Sequence, residues 1–144
     1  MAIKVSDSKY SKIPKEYGIV SSLTLAKGTL VAHDVSNGVL VAVTSSIGTT
    51  LTLAGVLTKA VTSSDTTAEY VPLDRNVYVI ADCTNNTAAN QLHKRQPMTN
   101  STAIANTSSD TATTLGIFMA LHTVGAASDK KLYGYFINIG QVTA

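Results

Sequence analysis

Apolar and polar residues alternate in short stretches along most of the chain. Thr50-Leu51-Thr52-Leu53 is the clearest case, and 39–44 and 76–81 are runs rich in valine. Successive side chains of a strand point to opposite faces, so such stretches indicate strands that are buried on one or both faces. The strands predicted in this way are 29–35, 39–44, 50–53, 55–62, 68–73, 76–81, 115–121 and 132–139.

Turn signals separate these stretches at regular distances. Glycines recur every ten residues at Gly18, Gly28, Gly38 and Gly48. This spacing is typical of an all-β sandwich or barrel. Asn37-Gly38 lies between two apolar runs and predicts a β-hairpin with a type I′ turn. We therefore expect a mainly β, compact β-barrel or sandwich-like domain with at most one short helix.

Residues 1–17 depart from the alternating pattern. They contain four lysines against Asp7 and Glu16, so this segment carries the whole net charge of +2. Neither a helical nor a strand period is sustained, and we expect an extended N-terminal arm, loosely ordered in the free chain, that binds a partner. A frayed terminus is the alternative. The predicted contact residues are Lys4, Tyr10, Lys12, Ile13, Pro14 and Tyr17, and 18–144 is expected to form a single β-rich domain.

Residues 82–114 are polar, lack glycine and form the second departure. The stretch 87–96 predicts a short helix, with Thr87 as its N-cap, Leu92 as its main buried residue and Pro97 ending it. Residues 99–114, rich in Ser and Thr, are expected to be a long loop. Long loops in compact domains commonly serve binding or packing against another chain.

The last predicted strand is apolar on both faces. Tyr133, Tyr135 and Ile137 share one face, whereas Leu132 and Phe136 share the other. Two interpretations remain open. The strand is central in a sandwich, or the face with Tyr133, Tyr135 and Ile137 meets another subunit.

Composition excludes several classes of protein. Charged residues are 14% of the chain, below the typical quarter, which favours packing against other chains. Two arginines and a net charge of +2 are too few for a nucleic-acid-binding surface. No apolar run approaches a membrane span, and the first residues do not form a secretory signal, so we expect a protein made in the cytoplasm. Cys83 is the only cysteine, so an intrachain disulfide is impossible.

Motifs for catalysis are not found in the sequence. There is no Gly-x-Ser-x-Gly elbow and no phosphate-binding glycine loop. His33, His93 and His122 are not spaced as metal ligands, and we expect them to be structural or surface residues. The sequence thus predicts no catalytic residue, cofactor or metal.

The residues from Ala54 to Ile80 nevertheless resemble a known family. The run Ala54-Gly-Val-Leu-Thr-Lys-Ala-Val61 precedes a polar turn at 62–68 and the valine-rich strands 69–73 and 77–80. This order is similar to that of the head decoration proteins of tailed bacteriophages. Gly28-Thr29-Leu30 and Asn37-Gly38-Val39-Leu40 are similar to the family's early strands, and 115–119 is a looser match.

The resemblance implies a capsid cement protein of the β-tulip type. Such a protein binds the outer surface of the expanded capsid as a homotrimer, and its N-terminal arm becomes ordered on the major capsid protein. The implied partners are the major capsid protein and further copies of this chain, with no nucleic acid and no membrane. The implied location is the virion surface, after synthesis in the host cytoplasm. Deleting residues 1–17 is then expected to leave a folded oligomer that no longer binds capsids.

Two other functions stay open. One is a self-assembling shell, tail-tube or fibre component of a phage-like particle, which would form tubes or shells when purified. The other is a small trimeric β-enzyme acting on a nucleotide or a sugar, which would require carboxylates or a metal gathered in a cleft.

Overall fold

A computed structural model describes residues 1–43, 51–110 and 117–137. In these ranges the chain forms twelve strands and two 3-10 turns, and none of its helices is long and apolar enough to cross a membrane. The strands are β1 (Ile3–Ser8), β2 (Glu16–Ile19), β3 (Leu30–Asp34), β4 (Val39–Ala42), β5 (Leu51–Leu57), β6 (Thr67–Pro72), β7 (Val77–Asp82), β8 (Arg95–Gln96), β9 (Met98–Asn100), β10 (Ala103–Ile104), β11 (Ile117–Thr123) and β12 (Lys131–Ile137). The 3-10 turns are Ala89–Gln91 and Ala127–Asp129.

Ten of these strands form two antiparallel sheets. Sheet I has the order β1-β7-β12-β11-β8, and sheet II has the order β2-β6-β5-β3-β4. The strands β9 and β10 form a separate two-stranded ladder. The prediction of a mainly β, sandwich-like domain is confirmed, and neither sheet closes into a barrel within the described ranges.

The main core lies between the two sheets. Alternation along β7 places Val77, Val79 and Ala81 inside with no exposed surface, as the period of two requires. The rings of Phe118 and Phe136 meet edge to face at 5.4 Å between centroids. Such pairs add to the free energy gained by burying apolar surface. Sheet II contributes Leu30, Ala32, Leu53, Val56 and Val71 to the same cluster.

Sheet II also has a second apolar face. The residues of this smaller cluster are Val20, Val31, Leu40, Ala54, Leu57, Val61, Ala68 and Tyr70. Gly18 on β2 lies directly over Leu40 on β4, where an added Cβ would come within 2.4 Å of Leu40 Cδ1. The sheet therefore curves so that its two edge strands approach each other without pairing.

The predicted hairpin at Asn37-Gly38 is present, but its turn is different. Asp34 pairs with Val39, so the loop has four residues rather than two. The backbone N–H groups of Asn37 and Gly38 both donate to the Asp34 carbonyl, at 3.3 and 2.8 Å. Gly38 has φ +70°, whereas Asn37 does not adopt a positive φ. The type I′ prediction is therefore wrong, because that turn needs positive φ at both central residues.

The other predicted strands correspond to β5, β6, β7, β11 and β12 with small shifts. The predicted strands 50–53 and 55–62 are one strand that ends at Leu57. Gly55 lies inside this strand. An added Cβ there would lie 2.0 Å from the Val71 carbonyl oxygen, so the position accepts only glycine. Position 50 and the predicted strand ends at 115–116 and 138–139 lie outside the described residues.

The expectation of a loosely ordered arm over residues 1–17 is corrected by the structure. Residues 3–8 form β1, which pairs with β7, and Ile3 is only 2% exposed. Its backbone N–H donates to the Gly28 carbonyl at 2.9 Å. Residues 16–19 form β2, which pairs with β6. Ile3 and Val5 are the apolar positions that draw this segment onto the core, and only 9–15 between the two strands lacks a ladder.

The predicted helix over 87–96 is also wrong. Only the turn Ala89–Gln91 is helical, its N-cap is Ala88 rather than Thr87, and no side chain caps it. His93 has φ +59°, which is incompatible with a continuing helix. The buried side chains of this stretch are Thr87, Gln91 and Gln96, whereas the predicted anchor Leu92 is half-buried.

Residues 84–110 fold around a buried polar cluster instead of forming a loop. The Asn106 amide donates to the carbonyls of Asn85 and Asn86 and to Gln91 Oε1, at 3.0, 3.3 and 3.0 Å. Asn106 Oδ1 accepts from the Asn85 backbone N–H at 3.0 Å. The Gln96 amide bonds to the Gln91 carbonyl and to both backbone groups of Thr107. Buried amides are tolerated here because their polar atoms find partners.

Candidate interaction surface

The strand β12 has one face in the core and the other on the outside of sheet I. Leu132, Gly134 and Phe136 are buried, whereas the side chains between them are half-buried. An added Cβ at Gly134 would lie 1.9 Å from the Met119 carbonyl oxygen, so this position admits only glycine. The strand is central in sheet I, as the first interpretation holds. Tyr133, Tyr135 and Ile137 lie on its outer face, which is the face that the second interpretation assigns to a subunit contact.

Aromatic rings gather on this outer surface of sheet I. Tyr78 on β7 stacks on Tyr133 at 5.5 Å and meets Tyr135 edge to face at 6.1 Å. The His122 ring stacks on the other side of Tyr133 at 5.8 Å. The Tyr133 hydroxyl donates to Asp7 Oδ1 at 3.0 Å, and burial together with this carboxylate raises the pKa of Tyr133 to about 12. The result is an ordered aromatic surface with polar hydroxyls at its rim.

A second apolar surface lies at the beginning of the chain. Six large hydrophobic side chains are strongly exposed within the described ranges, and five of them come from the first 19 residues. Tyr17 is 69% and Ile19 61% exposed, and both point to the same side of the edge strand β2. Ile13, in the segment between β1 and β2, is 42% exposed. These exposed side chains are close in the sequence, and Tyr17 and Ile19 also share one side of β2.

The remaining predicted arm residues take different places. Lys4 is exposed on β1, Lys12 is exposed and Pro14 is half-buried between the strands. The Tyr10 hydroxyl donates to Asp74 Oδ2 and so ties this segment to the turn before β7. The structure thus brings Lys4 and Ile13 to one groove, which Tyr10 does not line.

Glu69 on β6 is the centre of a polar cluster that the sequence did not indicate. Its carboxylate accepts hydrogen bonds from Thr58 Oγ1 at 2.6 Å and from the Tyr17 hydroxyl at 2.8 Å. The ammonium groups of Lys15 and Lys59 lie 3.6 and 3.9 Å from it. The bond from Thr58 is the largest cause, followed by that from Tyr17, of a pKa of Glu69 lowered to about 2. The carboxylate therefore stays ionised over the physiological range.

A groove of about 580 Å³ opens beside this cluster, between β1 of sheet I and β5 and β6 of sheet II. Its floor consists of core residues at the point where the two sheets separate, among them Ile3, Val5, Val56 and Val71. The charged residues that line it are Lys4, Lys15, Lys27, Lys59 and Glu69.

Sequence reasoning missed this groove because its charged residues come from four separate stretches of the chain. Only Lys4 and Lys15 lie in the segment whose lysine content drew notice. The pairing of β5 with β6 brings Lys59 and Glu69 together, and the backbone hydrogen bonds of Gly28 to Ile3 and Leu57 place Lys27 beside them. An ion pair that joins sheet partners distant in the chain leaves no local signal.

The groups that could support catalysis are scattered. His33 is exposed and meets Tyr70 edge to face at 6.0 Å, and His93 lies in the turn after the helical residues. Cys83 is fully buried, and burial raises the pKa of its thiol to about 12. Within 1–43, 51–110 and 117–137, no three His, Cys, Asp or Glu side chains are grouped as a metal site.

No protein-family model matches this chain, and no curated protein matches it.

Proposed function

We propose that this chain is a structural virion protein: a head decoration protein that binds the outer surface of an expanded phage capsid and stabilises it as a homotrimer. The observation that carries the proposal is the concentration of exposed apolar side chains in residues 1–19. A free protein gains nothing from exposing Tyr17 and Ile19, whereas a shell that covers them gains the free energy of burying apolar surface.

The position of these residues suits a capsid contact. β1 and β2 are the first strands of sheet I and sheet II, and each lies at a sheet edge. An edge strand leaves one row of backbone N–H and C=O groups for a strand of another protein. Apolar side chains next to an open edge are the features used when an extended segment of a partner adds to a sheet.

The aromatic surface of sheet I supplies the contact between copies in this proposal. Tyrosine is enriched at interfaces because its ring buries a large apolar area while its hydroxyl keeps a hydrogen bond. Tyr133 and Tyr135 are held by stacking on Tyr78 before any partner arrives. Their ordering therefore costs little additional conformational entropy on association.

Co-sedimentation with capsids tests the proposal, together with the mass of the free protein. Shells assembled from the major capsid protein of the phage that encodes this chain are offered in expanded and unexpanded form. We expect saturable binding to expanded shells only, and a small closed oligomer in solution. Binding to neither form, or spontaneous tubes or shells of the purified protein, would contradict it.

Point variants must replace the truncation of residues 1–17 in this experiment. Removing Ile3 opens the main core, so the truncated chain would fail for reasons unrelated to capsid binding. The double variant Tyr17→Ala and Ile19→Ala removes two exposed side chains together with the Tyr17 hydrogen bond to Glu69, and we expect it to fold and to lose capsid binding. Val35→Ala, at an equally exposed position in the β3–β4 turn, is the matched control and should bind as the parent does.

A further inference from the structure

We propose that the groove between β1 and the strands β5 and β6 binds an extended peptide segment in which carboxylates flank apolar side chains. The inference rests on the proposed function in one respect, namely that the major capsid protein supplies the peptide segment. The chemistry of the groove does not depend on that source.

The floor of the groove selects apolar side chains. Ile13 is 42% exposed and Ala2 and Val5 are half-buried, so these three side chains present apolar surface to the groove above the buried core residues Ile3, Val56 and Val71. The volume of about 580 Å³ falls within the ~300–1,000 Å³ range of clefts that enclose ligands. Covering Ala2, Val5 and Ile13 with aliphatic side chains is favourable, because it removes apolar surface of both molecules from water.

The rim of the groove selects negative charge. Four lysines line it against one glutamate, although the whole chain has a net charge of only +2. Lys15 and Lys59 approach Glu69, whereas Lys4 and Lys27 take part in no ion pair within the described ranges. These two ammonium groups stand on the β1 side and on the turn before β3, and each is free to meet a carboxylate of the occupant.

The strand that borders the groove favours an extended chain. Residues 2–5 at the start of β1, an edge strand, line the groove, and an extended peptide beside such a strand advances about 3.3 Å per residue. A nucleic acid would satisfy the lysines but would set phosphates and sugars, rather than apolar groups, on Val5 and Ile13. The combination of an apolar floor and a cationic rim therefore indicates a peptide.

Fluorescence anisotropy with three labelled ten-residue peptides tests the inference. One alternates Glu and Val, one alternates Glu and Ser, and one alternates Lys and Val. We expect the Glu-Val peptide to bind at least tenfold more tightly than either of the others, with an affinity that falls as salt is added. Equal binding of the Glu-Ser peptide or of a ten-nucleotide oligothymidine would overturn the proposal, and so would the absence of Glu-Val binding at millimolar concentration.

Charge reversal locates the site. The double variant Lys4→Glu and Lys27→Glu is expected to weaken Glu-Val binding by about tenfold or more, because two favourable contacts become repulsive. Lys9→Glu is the matched control, since Lys9 is an exposed lysine of β1's neighbouring turn that does not line the groove. Thermal unfolding confirms that both variants are folded. An equal loss in the control would overturn the proposal.

The capsid assay then separates this inference from the proposed function. Loss of capsid binding in Lys4→Glu and Lys27→Glu, with the control unaffected, supports both. A groove variant that loses the peptide but still binds expanded capsids normally overturns the inference and leaves the decoration function intact. If the parent protein binds no capsid while peptide binding follows the expected pattern, the groove's specificity stands and the decoration function fails.

Discussion

Two parts of this chain lack a regular apolar pattern, residues 1–19 and residues 84–110. The first exposes apolar side chains, whereas the second buries polar ones. The first keeps Ile13, Tyr17 and Ile19 on the outside. The second places Gln91, Gln96 and Asn106 on the inside, where their amides are paired with backbone groups. The second segment therefore satisfies its polar groups internally, whereas the first keeps apolar side chains in contact with water.

The largest expected effect separates the buried and exposed parts of the first segment. Ile3→Ala should lower the free energy of unfolding by about 2–4 kcal/mol, because it leaves a cavity in the main core. Ile19→Ala is the same chemical change at a position that is 61% exposed, and it should stay within about 0.5 kcal/mol. Denaturant unfolding of both variants measures the difference, and similar losses would contradict the placement of β1.

The second effect tests the polar interior of 84–110. Asn106→Ala should cost about 2–3 kcal/mol of unfolding free energy, because it removes a side chain that is only 1% exposed together with its hydrogen bonds to Asn85, Asn86 and the buried Gln91. Asn90→Ala, on the exposed side of the same turn, is the control and should be nearly neutral. A neutral Asn106→Ala would mean that water replaces the amide and that the segment is more open than described.

A smaller effect is expected where the second segment is tied down at its end. Arg95 and Asp110 form an exposed, bidentate ion pair that lowers the pKa of Asp110 to about 2. Exposed pairs contribute little, so Arg95→Ala should lower the midpoint of urea unfolding only slightly, and less in high salt. Arg75→Ala, an exposed arginine outside the segment, gives the reference value in the same urea titrations. A loss that does not depend on salt would point to packing rather than charge.

The smallest effect is a pH dependence of the unfolding free energy. It comes from Glu69, whose partners Tyr17 and Lys15 belong to the first segment. The folded pKa of Glu69 is about 2, below its ordinary value of 4.5, so its contribution to stability is present above pH 4.5 and is lost as the pH falls toward 2. Glu69→Gln removes this contribution. We expect the parent to lose more stability than the variant between pH 5 and pH 2.5 in thermal unfolding, and parallel curves would contradict the bonds from Thr58 and Tyr17.

The sequence by itself determined the mainly β fold class and most strands of the two sheets. Alternation was sufficient for 68–73, 76–81 and 132–137 because one set of side chains in each strand must leave water. The hairpin before Val39 was also predicted from the local sequence, whereas the length of its turn was not. The face shared by Tyr133 and Tyr135 also followed from the period of two, before any neighbour of that face was known.

Tertiary structure alone decided the rest. β1 is ordered because β7 and the core receive Ile3, and nothing within residues 1–17 expresses that pairing. The helix expected at 87–96 gave way because Gln91 and Gln96 bond to backbone groups outside it. The groove exists only where two sheets separate and bring Lys4, Lys27 and Glu69 together. Local propensity is worth a few tenths of a kcal/mol per residue, and contacts made across the fold exceed it.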